Sequence, residues 1–549
     1  MFAAAFPNLG LGGLAWVAPG LLLASVFGKT GWERFRIGYV GGLAFYLAAL
    51  YWLLYIPYRW HGIPLGPAAG WLALSSYVAL YPAAWVWLLS SSSKTRNFAQ
   101  TEGVPSLQQL ALAPANLGDF LPRTWGRRCL WALSGAASWV ALEMILARLF
   151  SGFPWLLLGI TQYKLVPLIQ IASVTGVYGV SFLCVWGSLS LLSASVMLLR
   201  RTESPSIRLA EIFIPFVTIS LLFQFGFRQI RQSIPATRTL RVTFVQPSIP
   251  QTLIWDQTKD EERFQHLIQL SRDALTNRTD LLLWPEAAIP KLLRYDKSTY
   301  ETVTGLARQN KVWMIVGADD AEPRPDGKAD YFNSSFLINP QGEIGQGYKK
   351  RGLVIFGEYI PLVRWLPFMK FFTPIPGGFT AGERAVQFDL SDLQIKTCPL
   401  ICFEDVFPQW AREGAQPETD FLVNLTNDGW FGESAEPWQH AASSVFRAVE
   451  NRVPLFRCTN TGITCWVDPE GRIRQIFTDQ KGSVYGPGIM RADIPLAGSA
   501  ANSRSFYNTH GDWFGWSCVA VAGLRQFQRM LDWARNRKKS PPDRDPTLA

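Results

Sequence analysis

Three side chains in the second half of the chain could together transfer an acyl group through a thioester. Cys402 follows the apolar run IKTCPLI, which predicts a buried strand over 395–401. Glu286 follows a second apolar run, in LLLWPE, and Lys350 lies in GYKKRGLVIFGE. A thiol, a carboxyl group and an ammonium group would supply the nucleophile, the base and the cation that such a reaction needs.

Each of these residues also has an ordinary structural interpretation. A cysteine in an apolar run is commonly a core residue, and a turn carboxylate or a lysine in a basic run commonly faces solvent. A thiol between a strand end and a helix start would feel the positive end of the helix dipole, which predicts a lowered pKa for Cys402. Because α/β sites form where strands end, the combination of the three favours a catalytic site.

The elements that must position these residues predict an α/β domain. Strand-like runs alternate with helical patterns at 258–277, 297–309 and 436–451. The predicted strands are 240–246, 280–284, 312–317, 336–339, 395–402, 421–426 and 454–458. A domain of about 260 residues is long enough to bury a full core.

The first part of the chain predicts a bundle of membrane spans. The chain has 549 residues, of which 48% are hydrophobic and 17% charged. Six apolar stretches approach the length of about 20 residues that a bilayer requires, and a weaker one lies near the end. They are 9–28, 35–56, 68–92, 129–150, 178–199, 210–227 and 511–531. The predicted division is a membrane bundle over 1–238, a catalytic domain over 239–498, and a last span with a basic tail over 499–549.

The distribution of charge orients this bundle. Basic residues cluster in alternate loops, such as Lys94 to Arg128, and in the tail at 535–539. The positive-inside rule places these loops in the cytoplasm and residues 239–498 outside, in the periplasm of an inner-membrane protein. The net charge of +10 is therefore partly explained by basic residues in the predicted cytoplasmic loops. Nucleic-acid binding is not predicted, because no basic stripe with interleaved aromatic residues is present.

The order of WPE, YKKRGLVIFGE and ICFE resembles the nitrilase (carbon–nitrogen hydrolase) superfamily and its Glu-Lys-Cys triad. Together with the membrane bundle, the chain more narrowly resembles the bacterial apolipoprotein N-acyltransferases. Further matching motifs are GFPW at 152–155, NDGWFG at 427–432, PWQH at 437–440, RAVENR at 447–452 and TNTGIT at 459–464. The resemblance implies a multi-span α-helical bundle joined to an α-β-β-α sandwich.

The resemblance also implies a mechanism. Glu286 would be the general base, Cys402 would attack an ester of a phospholipid donor, and Lys350 would stabilise the oxyanion. The thioester would then acylate the amine of a diacylglyceryl apolipoprotein. The pattern Tyr-x-Lys-x-x-Leu selects Lys350 rather than Lys349 as the triad lysine. Neither a metal nor another cofactor is expected, and the protein is expected to be a monomer.

Further residues are predicted to support the site. Glu358 and Glu404 would hold the ammonium of Lys350, although Glu404 could instead be an acid in the first turn of a helix. Trp255 would line the substrate entrance or be a core aromatic residue. Phe403 stands where the family usually has tyrosine. His440 is interpreted as a structural hydrogen-bonding residue.

The segment 353–379 is unusually apolar and aromatic for a soluble domain. It is predicted to enter the membrane interface and admit lipid to the triad, the alternative being an arm packed on the bundle. Two other functions remain open from the sequence. One is a membrane-anchored amidase or nitrilase that uses water as acceptor, and the other is a transporter or receptor with an outward sensor domain.

Overall fold

The computed structural model describes residues 1–57, 65–90, 121–200, 205–232, 235–254, 256–361, 378–498 and 504–539. Trp255 and residues 362–377 of the predicted lipid loop lie outside the described residues.

The N-terminal part of the chain is helical. Its helices are α1 (Phe2–Ala5), α2 (Ala18–Ala24), α3 (Gly31–Ala49), α4 (Gly66–Val78), α5 (Leu80–Ser90), α6 (Trp125–Leu146), α7 (Val166–Ile169), α8 (Ala172–Thr175), α9 (Val177–Arg200) and α10 (Pro205–Arg231). Four helical segments are long and apolar enough to cross a membrane. They are Gly66–Leu89, Trp125–Leu146, Val177–Leu199 and Ala210–Arg231. They correspond to four of the seven predicted spans.

The first predicted span, 9–28, differs from the expectation. It contains a 3-10 turn, Gly12–Trp16, followed by the short helix α2. A Cβ on Gly12 would lie 2.6 Å from the carbonyl oxygen of Thr161, so the turn packs against another segment of the bundle at a distance that only glycine permits. The stretch is therefore not one continuous helix, which a count of apolar residues does not reveal.

Two other predicted spans are helices that contain charged residues. Helix α3 carries Glu33, Arg34 and Arg36 in its first turns. The last helix, α17 (Trp513–Lys539), carries Arg525 and Arg529 within its length. With these charges, neither helix is among the four segments that are long and apolar enough to cross a membrane. The number of membrane crossings therefore stays a prediction.

The rest of the chain forms two six-stranded sheets. Their strands are β1 (Arg238–Gln246), β2 (Leu281–Leu283), β3 (Trp313–Pro323), β4 (Ala329–Ile338), β5 (Ile344–Lys349), β6 (Phe388–Leu390), β7 (Ile395–Ile401), β8 (Phe421–Thr426), β9 (Leu455–Thr459), β10 (Cys465–Val467), β11 (Ile473–Ile476) and β12 (Gly488–Leu496). The first sheet has the order β12-β1-β2-β3-β4-β5 and the second β11-β10-β9-β8-β7-β6. Parallel strands lie at the centre of each sheet, β1-β2-β3 and β7-β8-β9.

The remaining helices are α11 (Gln251–Ile254), α12 (Asp260–Ala274), α13 (Lys297–Asn310), α14 (Pro408–Gly414), α15 (Glu436–Asn451) and α16 (Phe506–His510). Alternate residues of the strands separate the layers. Trp313 and Ile315 of β3 join the core between the two sheets, whereas Met314 and Val316 pack with α12 and α13. Asp296 fixes the start of α13, because its side chain accepts a hydrogen bond from Thr299 N. The resulting α-β-β-α sandwich confirms the predicted fold class.

The helices on the second sheet pack on the bundle. Helix α15 is buried along almost its whole length. Its Gln439 accepts hydrogen bonds from the indole nitrogens of Trp52, at 3.1 Å, and Trp155, at 3.0 Å. The sandwich is thus anchored on the helical bundle through the same layer that lies behind β7.

Candidate active site

The three residues predicted to react come together between the sheets. Glu286 follows β2, Lys350 follows β5, and Cys402 follows β7 on the opposite sheet. The Nζ atom of Lys350 donates a hydrogen bond to Glu286 Oε1 at 3.1 Å, and both side chains are buried, with 1% and 8% of their surface exposed. The charges of both residues act on the Cys402 thiol. One site therefore contains the nucleophile, a carboxylate and a cation.

The structure distinguishes the two adjacent lysines. Lys350 points into the buried site, whereas Lys349 pairs with Glu322 at 2.6 Å and keeps 29% of its side chain exposed. Burial lowers the pKa of Lys350, but the charges of Glu286 and Glu358 outweigh it and hold that pKa well above its usual value. Lys350 is consequently a permanent ammonium at neutral pH and is unsuited to act as a base.

Cys402 occupies a strained turn at the end of β7. Its φ of 53° is rarely adopted by residues other than glycine, and it opens the 3-10 turn Cys402–Val406. Asn424 Nδ2 donates a hydrogen bond to the Cys402 carbonyl oxygen at 2.7 Å. This contact from β8 holds the turn in place, and the neighbouring Thr426 side chain lowers the pKa of the thiol.

The thiol of Cys402 is neutral at rest, which corrects the expectation from the helix dipole. Burial, followed by the charge of Glu286, raises its pKa well above the ordinary value, and the opposing effect of Lys350 is smaller. The helix that was expected to lower the pKa is only a short 3-10 turn, so its dipole is weak. A base must therefore remove the proton during the reaction.

Glu358 completes the surroundings of Lys350, as predicted. Its Oε1 accepts from Lys350 Nζ at 2.9 Å, and its Oε2 accepts from Val354 N at 2.9 Å. Asn333 of β4 donates through one amide nitrogen to Glu286, at 2.7 Å, and to Glu358, at 2.9 Å. Asn333 thereby holds both carboxylates in place around one ammonium.

Glu404 connects the lysine loop to the cysteine turn rather than contacting the ammonium. Its carboxylate accepts from Arg351 N at 2.6 Å, from Gly352 N at 3.0 Å and from Ile401 N at 2.7 Å. It also accepts from the Tyr348 hydroxyl at 2.7 Å. Burial raises its pKa, and the backbone donors oppose that effect. Glu404 thus sets the distance between the loop of Lys350 and the turn of Cys402.

Two further residues predicted to support the site are Phe403 and Trp255. Phe403 is half-buried and packs edge-on against Phe407, with ring centroids 5.0 Å apart. It lies beside the nucleophile but faces the core shared with the bundle. Trp255 is outside the described residues, so its predicted position at the substrate entrance stays a prediction.

A second buried cluster of charged groups lies behind Cys402. His440 hydrogen-bonds Asp405 at 2.8 Å and Asp428 at 3.1 Å, and Arg457 donates to both carboxylate oxygens of Asp428. Asp428, Glu436 and His440 place ligand atoms within 4.8 Å of one another, a spacing that could hold a metal ion. However, Arg457 donates to Asp428 from within the group, and its fixed positive charge opposes a second cation there. This arrangement agrees with a structural role for His440.

Sequence reasoning missed three polar residues on the strands, Asn333, Asn424 and Thr426. Asn333 lies in YFNSSF, and Asn424 and Thr426 lie in FLVNLT, all three within buried parts of strands. A buried amide or hydroxyl in a strand needs a partner, so polar residues in predicted strands were the available signal. It was not enough to identify which residue each one would contact.

Comparison with protein families matches both parts of the chain. Residues 241–499 match the family of carbon-nitrogen hydrolases, and residues 1–190 match the N-terminal domain of apolipoprotein N-acyltransferase. Among solved structures, an amidase of the nitrilase superfamily from Nesterenkonia AN1 is 17% identical, covers 48% of this chain and 93% of its own, and has a TM-score of 0.36. Saccharomyces cerevisiae Nit3 is 18% identical, covers 50% and 96%, and has a TM-score of 0.37.

Curated relatives extend over nearly the whole chain. The apolipoprotein N-acyltransferase of Geobacter metallireducens is 34% identical over 527 residues, which cover 95% of this chain and 92% of the relative. Those of Methylococcus capsulatus and Chlorobaculum tepidum are each 31% identical and cover 89% and 70% of this chain, and 86% and 74% of their own lengths. With its bundle, its sandwich and its buried Glu-Lys-Cys arrangement, the chain belongs to the apolipoprotein N-acyltransferase family.

Proposed function

We propose that the protein transfers an acyl chain from a membrane phospholipid to the N-terminal amine of diacylglyceryl apolipoproteins, through a thioester on Cys402. The observation that carries the proposal is the buried contact of Lys350 with Glu286 beside a neutral thiol. Family membership supports the class of reaction, N-acyl transfer. It does not favour the alternative of an amidase that uses water as acceptor.

In the first half of the reaction, the thiol sulfur bonds to the ester carbonyl carbon while Glu286 takes the thiol proton. Lys350 is the only cation in contact with Glu286 among the described residues, and it stabilises the negative charge that develops on the carbonyl oxygen. Donors of this kind contribute about 3–4 kcal/mol each to transition-state stabilisation. The C–O bond then breaks, Glu286 returns the proton to the alkoxide, and a lysophospholipid leaves.

In the second half, the free amine attacks the thioester carbonyl carbon. Glu286 accepts a proton from the amine as the C–N bond forms, the C–S bond breaks, and the sulfur recovers a proton from Glu286. The same carboxylate therefore carries a proton in both directions, and the starting thiol is restored. Glu358 and Asn333 hold Glu286 and Lys350 in one arrangement throughout.

The bundle supports a membrane-embedded donor. The sandwich packs on it through α15, and the lysine loop is followed in the sequence by the apolar segment at 353–379. We extend the proposal to an inner-membrane monomer divided at residues 1–238, 239–498 and 499–549, with the sandwich in the periplasm. Reporter fusions test that orientation. A reporter active only in the periplasm should be active when it is fused near residue 300 and silent when it is fused at residue 540, and the opposite pattern would refute it.

The substrates are tested with purified protein in phospholipid vesicles. Intact-mass spectrometry should reveal an acyl adduct, and peptide mapping should place it on Cys402. A diacylglyceryl-cysteine peptide added next should remove the adduct and become N-acylated. Release of free fatty acid with no acylated peptide would identify a hydrolase, and absence of any adduct would refute the thioester route. Cys398→Ala serves as the control, since that thiol is fully buried on the other face of β7.

A further inference from the structure

Asp319 is a carboxyl group beside the reacting residues that the mechanism above does not use. It lies on β3, two residues beyond Gly317, whose carbonyl oxygen accepts a hydrogen bond from Ala288 N at 3.1 Å. Along β3, Trp313 and Ile315 face the space between the sheets, and Asp319 has the same parity. Its side chain is therefore on the same face as Glu286 and Lys350.

Two hydrogen-bond acceptors lack donors at this point. Asp319 pairs with Asn333 across the antiparallel ladder of β3 and β4, so their side chains lie on one face with Cβ atoms about 5 Å apart. Asn333 directs its amide nitrogen at Glu286 and Glu358, which forces its Oδ1 to face away from them. Asp319 Oδ1 and Asn333 Oδ1 are both buried without a hydrogen-bond partner among the described residues.

We propose that Asp319 is a positioning residue for acyl transfer, in which its carboxyl acts as a neutral acid and donates its proton to Asn333 Oδ1. This single hydrogen bond would give a partner to both Asp319 Oδ1 and Asn333 Oδ1. It would also lock the amide of Asn333, and through it the two carboxylates that share Lys350. The proposal rests on the proposed function, because its effect is on the reaction at Cys402.

The charges around Asp319 favour the neutral acid. Burial and the carboxylates of Glu286 and Glu358 raise its pKa to about 7, and Lys350 lowers it only partly, because both carboxylates already share that ammonium. Asp320 also raises it, although this neighbour faces the helix layer and is held by Arg294 at 2.6 Å. Asp319 thus gains a negative charge, and loses its donor, as the pH rises through about 7.

The test compares the rate of Cys402 acylation in wild type and in Asp319→Asn, measured by intact mass in a single turnover. The amide of Asn keeps a donor toward Asn333 but cannot ionise. We expect similar rates at about pH 6, whereas at about pH 8.5 the variant should be about tenfold faster than wild type, because the acid has by then ionised. A ratio of the two rates that stays constant with pH would overturn the proposal.

Three further variants sharpen this test. Asp319→Ser keeps a donor and should share the flat pH dependence of Asn, and it substitutes for Asn if that variant does not fold. Asp319→Val has no donor and should be slower than Asn at both pH values; equal rates would overturn the proposed hydrogen bond. Asp320→Asn removes one of the charges that raise the Asp319 pKa, so its rate should begin to fall at a lower pH than the wild-type rate does.

Infrared difference spectroscopy separates this proposal from the proposed function. Glu450 also has a pKa raised by burial to about 7, so the band of Asp319 must be read from the spectrum of wild type minus that of Asp319→Asn, in which bands common to both proteins cancel. This difference should contain the C=O stretching band of a neutral carboxyl group at about pH 6 and lose it by about pH 8.5. Absence of the band at about pH 6 would exclude a neutral acid at Asp319. If wild type were never acylated at Cys402, the proposed function would fail while the infrared result still decided the state of Asp319.

Discussion

The sandwich contains two buried clusters of charged residues beside the Cys402 turn, and they differ in whether their charges act on the thiol. In the cluster around Lys350, one ammonium serves the carboxylates of Glu286 and Glu358, and all three groups shift the pKa of the Cys402 thiol. In the cluster around Arg457, the guanidinium and His440 bridge Asp405 and Asp428. Both clusters contain buried polar atoms that have no hydrogen-bond partner among the described residues, Asp319 Oδ1 and Asn333 Oδ1 in the first and Glu436 Oε2 and Arg457 Nε in the second. Action on the thiol therefore marks the reactive cluster, whereas incomplete hydrogen bonding does not distinguish the two.

The largest effect is expected from Lys350→Met, which should slow acylation by about 10²–10³-fold, because the oxyanion loses its cation. It should also lower the free energy of unfolding by about 3 kcal/mol, since two buried carboxylates lose their partner. Thermal unfolding and single-turnover acylation measure the two effects. Lys349→Met is the matched control, and its half-exposed pair with Glu322 should contribute less than about 1 kcal/mol. Equal effects at the two lysines would remove the distinction between them.

Arg457→Met should affect stability more than chemistry. It leaves Asp405 and Asp428 buried without their shared cation, which should lower the free energy of unfolding by about 3–5 kcal/mol. Molecules that remain folded at low temperature should acylate Cys402 at a rate less than about tenfold below wild type. A variant that melts like wild type but does not acylate would show that the second cluster also takes part in the reaction.

A smaller effect is expected from the titration of His440. Burial and Arg457 lower its pKa, but Asp405 and Asp428 outweigh them, so the folded-state pKa lies above 6.5. The folded protein then binds this proton more tightly than the unfolded chain does. The stability from His440 is present below about pH 6.5 and is lost as the pH rises through the folded-state pKa.

His440→Gln should therefore be less stable than wild type at about pH 6, by on the order of 1 kcal/mol, and the difference should shrink as the pH rises. Melting temperatures across that range measure it. A difference that grows with pH would mean that His440 is neutral in the folded protein.

The smallest effect is expected from Cys398→Ala. Burial raises the pKa of this thiol to about 12, and the side chain belongs to the core behind β7 rather than to the site. Acylation should stay within about twofold of wild type, and the melting temperature should fall only slightly. Loss of the acyl adduct in this variant would contradict the assignment of Cys402 as the nucleophile.

The sequence was sufficient for the fold class and for the residues that meet at the site, because Glu286 and Cys402 follow apolar runs and all three triad residues lie in recognisable motifs. The sequence did not correctly predict the protonation state of the Cys402 thiol. The predicted pKa rested on a helix dipole, whereas burial beside Glu286 determines the outcome. The sequence also did not reveal that the first apolar stretch is interrupted by a 3-10 turn, which Gly12 permits to pack on Thr161, and whether this stretch crosses the membrane stays a prediction.

The hydrogen-bond partners of buried polar groups likewise could not be predicted from the sequence. Glu404 was expected near the ammonium, yet it joins the backbone of the lysine loop to that of the cysteine turn, residues that are about 50 positions apart. The register of β3 and β4 places Asp319 opposite Asn333, and the sequence does not show this pairing. Side-chain type and spacing identify candidate chemistry, but tertiary pairing decides which acceptors remain unsatisfied.

The most direct test of the difference between the clusters compares two substitutions of glutamate by glutamine. Glu286→Gln keeps acceptors for Lys350 and Asn333 but cannot take the thiol proton. Burial and Asp428 raise the pKa of Glu436 well above its usual value, so Glu436→Gln replaces a neutral acid with a neutral amide. Single-turnover formation of the Cys402 thioester should slow by at least about 10²-fold in the first variant and stay near wild type in the second, with both proteins folded. Thioester formation at the wild-type rate in Glu286→Gln would contradict the account.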